Sequence, residues 1–211
     1  TLNNPVIVPD SPTLNVVFKS VAPPTLNNPV IVPDSPTLNV DFKVVEFPTL
    51  RVLVTVVESP TLNVVFLRHA LAPGYGDPGE FDVRFCKTQR NLNDVGQDQA
   101  RSIGIKLKMI GVSFDAIYSS EWCRCLETAN LMNLGKVRTF IGLNSFFEDH
   151  YDREETLRQL IHKLQGLDKT DRVLMVTHQV VISAITGINV GSGVAVAYST
   201  WNGSAHKISR K

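Results

Sequence analysis

The first 72 residues repeat in steps of twelve, and the proline-ended units that fill the first sixty leave an ordinary folded domain only the chain from the sixth unit onward. The units read TLNNPVIVPDSP, TLNVVFKSVAPP, TLNNPVIVPDSP, TLNVDFKVVEFP, TLRVLVTVVESP and TLNVVFLRHALA, and residues 1–16 and 25–40 are identical. Each of the first five units ends in proline, which fixes φ and removes a backbone donor, so only short extended runs such as Asn15–Phe18 fit between breaks. Ten of the 12 prolines lie in the first sixty residues, whereas all 13 glycines lie from Gly74 onward. An extended interaction stalk or a β-solenoid is one reading of the tract. The other is a duplicated segment, disordered or irregularly packed. The period is shorter than those of helical-pair and propeller repeats, and no unit offers a glycine for a solenoid corner, which favours the second. The sixth unit supplies Leu62–Leu67, which reads as the first strand of a core domain, so the chain divides into a repeat tract over 1–60 and a domain over 61–211. Upstream copies, above all Thr13–Phe18, identical to Thr61–Phe66, can compete for that strand's place in a sheet.

The formal net charge is +1. Three of the 21 cations and five of the 20 anions precede residue 61, leaving 18 against 15 in the domain. That excess is too small for the phosphate footprint of a nucleic-acid binder, so any anion site is local. Three cysteines, Cys86, Cys123 and Cys125, form neither a disulfide framework nor a zinc set, and Cys123 and Cys125 are too near in sequence for an easy bridge; reduced or buried thiols are the expectation. No apolar run approaches the length of a membrane span, and no basic start precedes an apolar stretch. Cytoplasmic placement is the expectation. Because the chain begins at Thr1, a removed leader and a periplasmic placement stay open.

From residue 61 strands and helices alternate. Leu62–Leu67 and Arg172–Thr177 are nearly continuous apolar runs, the mark of strands buried on both faces of a parallel sheet. Phe114–Tyr118 and Val137–Ile141 supply two further strands. Helices are expected from Asn93 or Asp94 to Gly111, with Val95, Ala100, Ile103, Leu107 and Ile110 facing inward. Others follow over Glu121–Leu134, over Glu154–Leu164 with Leu157, Leu160, Ile161 and Leu164 on one face, and over Val180–Thr186. Val194–Ser199 and Ala205–Ser209 read as a closing hairpin around Asn202-Gly203. The fold class is α/β, a three-layer sandwich with a mostly parallel sheet, helices on both faces and a C-terminal hairpin.

Ligands of such sheets sit outside the carboxyl ends of the strands. Arg68 and His69 follow the first strand, Ser119 and Ser120 the second, and Thr177 and His178 the fourth. Arg124 falls on the first turn of the next helix and can point back to the same edge. Two imidazoles with two guanidiniums make a compact cationic pocket. Guanidinium forks match phosphate oxygens, a neutral imidazole is a competent nucleophile toward phosphorus, and a second imidazolium can stabilise the charge on its oxygens. No metal or other cofactor is called for: zinc would need more ligands than two histidines at this spacing. His150, His162 and His206 follow no buried strand and read as ordinary histidines.

The strings Phe66-Leu67-Arg68-His69-Ala70, Tyr118-Ser119-Ser120-Glu121-Trp122-Cys123-Arg124-Cys125-Leu126-Glu127-Thr128-Ala129 and Met175-Val176-Thr177-His178 resemble, in order and spacing, the motifs of the histidine phosphatase superfamily, also called phosphoglycerate-mutase-like. The likeness spans residues 62–209. Arg68–Asp77 with Thr88-Gln89-Arg90-Asn91-Leu92 looks most like its small bacterial branch. The resemblance implies that His69 is the nucleophile forming a phosphohistidine, that Arg68, Arg124 and His178 bind the phosphoryl group, and that Arg90 and Asn91 edge the pocket. The substrate would be a phosphorylated small molecule or a phosphoprotein. Two features depart from the family pattern: Ala70 stands where a glycine is usual, and Gln179 follows His178 where one branch has aspartate. A general acid is sought in Phe146-Phe147-Glu148-Asp149, with Glu148 ranked above Asp149 and a helix-capping role open for either. Three readings compete: a metal-independent phosphomonoesterase, a phosphohistidine phosphatase acting on a protein, and a non-catalytic phosphate- or partner-binding module whose repeats carry the function.

Overall fold

The computed structural model describes residues 62–208. The repeat tract, the boundary at residue 61 and the expected strand end at Ser209 lie outside the described residues. Within them the chain runs β1 (Val64–Arg68), α1 (Asp94–Met109), β2 (Ala116–Ser119), α2 (Cys123–Met132), β3 (Val137–Thr139), α3 (Arg153–Gln165), β4 (Val173–Thr177), α4 (Gln179–Thr186), β5 (Ala195–Tyr198) and β6 (Ala205–Ile208). One sheet has the order β3-β2-β4-β1-β5-β6. The first four of these are parallel neighbours, and β5 and β6 add on antiparallel.

The apolar runs that mark β1 and β4 explain why those strands lie at the centre. Along β4, Val173 and Met175 join Val64 and Phe66 against Leu160 and Leu164 of α3 and Val181 and Ile182 of α4. Leu174 and Val176 join Leu67 and Ile117 on the opposite face, against Cys125, Ala129 and Met132 of α2. Helices thus cover both faces, and each such buried aliphatic side chain contributes about 1.5–3 kcal/mol by leaving water. Asn93 caps α1 by accepting from the Gly96 N–H, and Asp152 caps α3 by accepting from the Glu155 N–H.

The buried face of α1 differs from the expected one. It consists of Gly96, Ala100, Gly104 and Leu107, while Val95 is 62% exposed. Small residues occupy this face because the neighbours come close: a Cβ on Gly104 would lie 2.0 Å from the Met132 carbonyl of α2. Ile161 of α3 likewise stays largely exposed, with Thr156, Leu160 and Leu164 facing inward. The closing hairpin is looser than a two-residue turn. Its strands stop at Tyr198 and resume at Ala205, and Gly203, with φ of 71°, donates its N–H to the Ser199 carbonyl inside the connecting loop.

Candidate active site

The sheet register brings the candidate residues together. Arg68 pairs with Thr177 at the ends of β1 and β4, and Ser119 pairs with Val176 alongside. His69, Ser120 and His178 therefore leave the sheet at one carboxyl edge, and the two imidazole centroids lie 5.5 Å apart.

His69 is buried, with Nδ1 2.7 Å from the Ala70 carbonyl oxygen. A carbonyl can only accept, so Nδ1 carries the proton and Nε2 keeps its lone pair. Burial, then the Arg124 charge, lower its pKa from the ordinary 6.5 to about 3, so the ring is neutral at neutral pH. Ala70 needs no glycine: the non-glycine residues of positive φ among those described are Asn133, Glu148 and Asp149. The Ala70 N–H donates to Thr128 Oγ1 at 3.0 Å, and that hydroxyl donates to the Arg124 carbonyl at 2.6 Å, which ties the residue after His69 to the first turn of α2.

His178 sits at the end of a chain of side chains. Asn144 donates from Nδ2 to Glu121 Oε2 at 2.7 Å, and its Oδ1 accepts from the Glu121 N–H at 2.9 Å and from the Ser120 hydroxyl at 3.1 Å. With the Ser120 proton so committed, His178 Nε2–H donates to Ser120 Oγ, 3.0 Å away. Burial, then Arg124 and His69, push its pKa well below 6.5. This corrects the expected second imidazolium: burial and the neighbouring arginines favour the neutral form of both rings, and the positive charge of the site resides on the arginines. Cys125 Sγ lies 3.4 Å from the same Nε2, but burial pushes that thiol up to about 12, which leaves no thiolate to compete as nucleophile.

Both central arginines are anchored by their terminal nitrogens. Arg68 donates from one to the Val190 carbonyl at 2.8 Å. Arg124 makes a bidentate pair with Asp77, at 2.7 and 3.0 Å, with side-chain exposures of 4% and 3%. In each case the Nε–H is buried without a partner among the described residues. An unmet buried donor costs about 1–3 kcal/mol, and an anion's oxygens would relieve both. Arg90, expected to edge the pocket, clasps the loop after β1: its Nε donates to the Gly76 carbonyl at 2.8 Å and a terminal nitrogen to the Ala72 carbonyl. Its charge nevertheless reaches both histidines, helping to lower their pKa values. Asn91 holds the same loop through the Cys86 and Gln89 carbonyls. Glu148 forms no hydrogen bond to either histidine; its Oε2 accepts from the Asp77 N–H at 3.3 Å and lies 3.7 Å from His150 Nε2. Glu148 and Asp149 both have left-handed backbone, φ 58° and 57°, a conformation that costs residues with a side chain on the order of 1–2 kcal/mol.

Three features escaped the sequence reading. Asp77 was one acid in a glycine-rich loop, and Asn144 stood in a segment with no periodic signal. Cys86 and Cys123 form a disulfide, with Cα atoms 5.6 Å apart across a separation of 37 residues, which corrects the expectation of reduced or buried thiols. The bond joins the Arg90 loop to the residue before Arg124. Among the described residues no group of three or more His, Cys, Asp and Glu is placed to hold a metal ion.

The family model of the histidine phosphatase superfamily (branch 1) matches residues 64–152. A candidate phosphohistidine phosphatase SixA from Agrobacterium tumefaciens is 21% identical, covers 71% of this chain and 96% of its own, and superposes with a TM-score of 0.50. An open-reading-frame product from Mycobacterium tuberculosis is 16% identical, covers 68% and 94%, and gives the same TM-score. No curated protein matches the sequence.

Proposed function

We propose that this chain, whose residues 64–152 match the family model of the histidine phosphatase superfamily (branch 1), is a metal-independent phosphatase acting through a phosphohistidine on His69. The observation that carries the reading is the pair of buried, unpartnered Nε–H groups of Arg68 and Arg124 beside a neutral imidazole whose Nδ1–H is committed to Ala70. In the first step the His69 Nε2 lone pair forms a bond to phosphorus and the bond from phosphorus to the leaving oxygen breaks. The two Nε–H groups receive the equatorial oxygens, where negative charge collects. A proton reaches the leaving oxygen from Glu148 or Asp149. Water then attacks phosphorus and gives a proton to the carboxylate left by the first step, the P–N bond breaks, and orthophosphate leaves with His69 neutral and the acid restored.

A second reading, phosphohistidine phosphatase on a protein partner, is favoured by one contact. Glu148 is bonded to the Asp77 N–H rather than to the histidines, and a phosphoramidate needs less help from an acid than an ester does. Rates on an alkyl phosphate such as glycerol 2-phosphate, whose leaving alkoxide needs a proton, and on a phosphohistidine-bearing carrier protein separate the two. Glu148→Gln slowing only ester hydrolysis supports the first reading; turnover of the carrier alone supports the second. Failure to hydrolyse either would leave a non-catalytic phosphate-binding module.

A further inference from the structure

Asp77 holds four donors at once: both terminal nitrogens of Arg124, the Arg90 N–H at 2.9 Å and the Trp122 indole N–H at 3.0 Å. Carbonyl-type anchoring suffices for Arg68, which donates one terminal nitrogen to Val190, yet Arg124 receives a full carboxylate. Such a pair is costly to bury and is strongly disrupted when one partner is removed. Burial alone would raise the Asp77 pKa, but the bonds from Arg124, Arg90 and Trp122 hold it below the ordinary value, so the carboxylate is charged whenever the site works.

We propose that Asp77 is a positioning residue for the phosphoryl site: it consumes the fork of Arg124 so that the guanidinium can offer only its Nε–H edge. Arg68 is presented in the same way, by a terminal nitrogen anchored to Val190 and an open Nε–H. The site therefore meets the phosphoryl group with two anchored guanidiniums, each with an open Nε–H, rather than with two mobile forks. A free fork would pair bidentately with the ground-state phosphate, which tightens binding without speeding the chemistry. Asp77 also reduces the charge of the three arginines that act on His69 and His178 from three to two. That matches a phosphomonoester dianion more closely than an uncompensated triad would.

This inference rests on the reading of Arg124 as a phosphoryl ligand, and the controls separate the two. In the full chain, Asp77→Ala should lower kcat about 100-fold, the scale of a misplaced group, while orthophosphate inhibits as tightly as in wild type or more so. Asp77→Asn, which keeps an acceptor for Arg124, should recover at least a tenth of the lost rate. An unchanged kcat, or a raised KM at wild-type kcat, would overturn the positioning role. Arg124→Ala hydrolysing like wild type would instead remove the underlying phosphate reading. If Asp77→Ala does not fold, Trp122 reports in its place. With Trp201→Phe as background, Trp122 is the sole tryptophan of the two in the chain, and its emission should stay put at fully inhibiting orthophosphate. A saturable shift would mean that Asp77 leaves Trp122 when phosphate arrives, which contradicts a fixed anchor.

Discussion

The site has two halves built in different ways. Arg68, His69, Ser120 and His178 stand at the ends of central strands, where sheet register and backbone hydrogen bonds fix them. Asp77, Arg90, Cys86 and Glu148 stand in loops, placed by side-chain bonds to carbonyls and N–H groups and by one disulfide. The first half inherits its geometry from a core that must form anyway. The second adds interactions of its own, so changes there should alter rate and anion affinity, whereas a change in the core should alter stability and leave the rate nearly as it was.

Arg124, at the junction of the halves, gives the largest expected effect. Arg124→Ala should lower kcat/KM by about 10²–10³-fold, the range seen when one charge-stabilising donor is removed. It should also cost about 3–5 kcal/mol in stability, because Asp77 is left as a buried unpaired charge; steady-state kinetics and urea unfolding measure both. A change in core packing should do the reverse. Leu160, fully buried against the sheet, should lose about 2–5 kcal/mol of stability on replacement by alanine. Its kcat at 25 °C should stay within about twofold while the variant remains folded. A Leu160→Ala kcat falling as far as that of Arg124→Ala would erase the distinction between the halves.

How the halves were legible follows from the same division. Continuous apolar runs announce β1 and β4, and the residues after such strands are the ones worth watching, so His69, His178, Arg68 and Arg124 could be singled out. Loop bonding leaves no comparable trace. Asp77 is distinguished only by what meets it in space, and the disulfide joins residues whose spacing suggests no bridge. Arg90 was noticed, but its guanidinium turned out to hold backbone carbonyls. The large apolar residues of α1 also misled: close packing against α2 demands Gly104 and Ala100, so Val95 points outward.

Reduction of the Cys86–Cys123 bond tests the loop half more gently. Thiol treatment, or the Cys86→Ser variant, should lower kcat/KM several-fold by loosening the segment between Arg90 and Arg124. It should reduce stability by about 2–4 kcal/mol. Reoxidation should restore the treated wild type and leave Cys86→Ser unchanged. A rate indifferent to thiols would detach the loop from the site.

The smallest effect is spectroscopic. The His69 pKa, lowered from 6.5 to about 3 by burial first and then by the arginines, means that the unfolded chain takes up a proton there before the folded one. The contribution to stability is full above pH 6.5 and declines as pH falls toward about 3. In an NMR titration the His69 ring should show no midpoint between about pH 5 and 7, where an unperturbed imidazole titrates. A midpoint near 6.5 would mean that the strand-borne half is open to water.

The central claim is the covalent step at His69. Wild-type protein mixed with a labelled phosphoester and quenched within one turnover should carry acid-labile, base-stable phosphate on His69, and His69→Ala should carry none. Equal labelling of the two, or label that survives acid, would contradict the account.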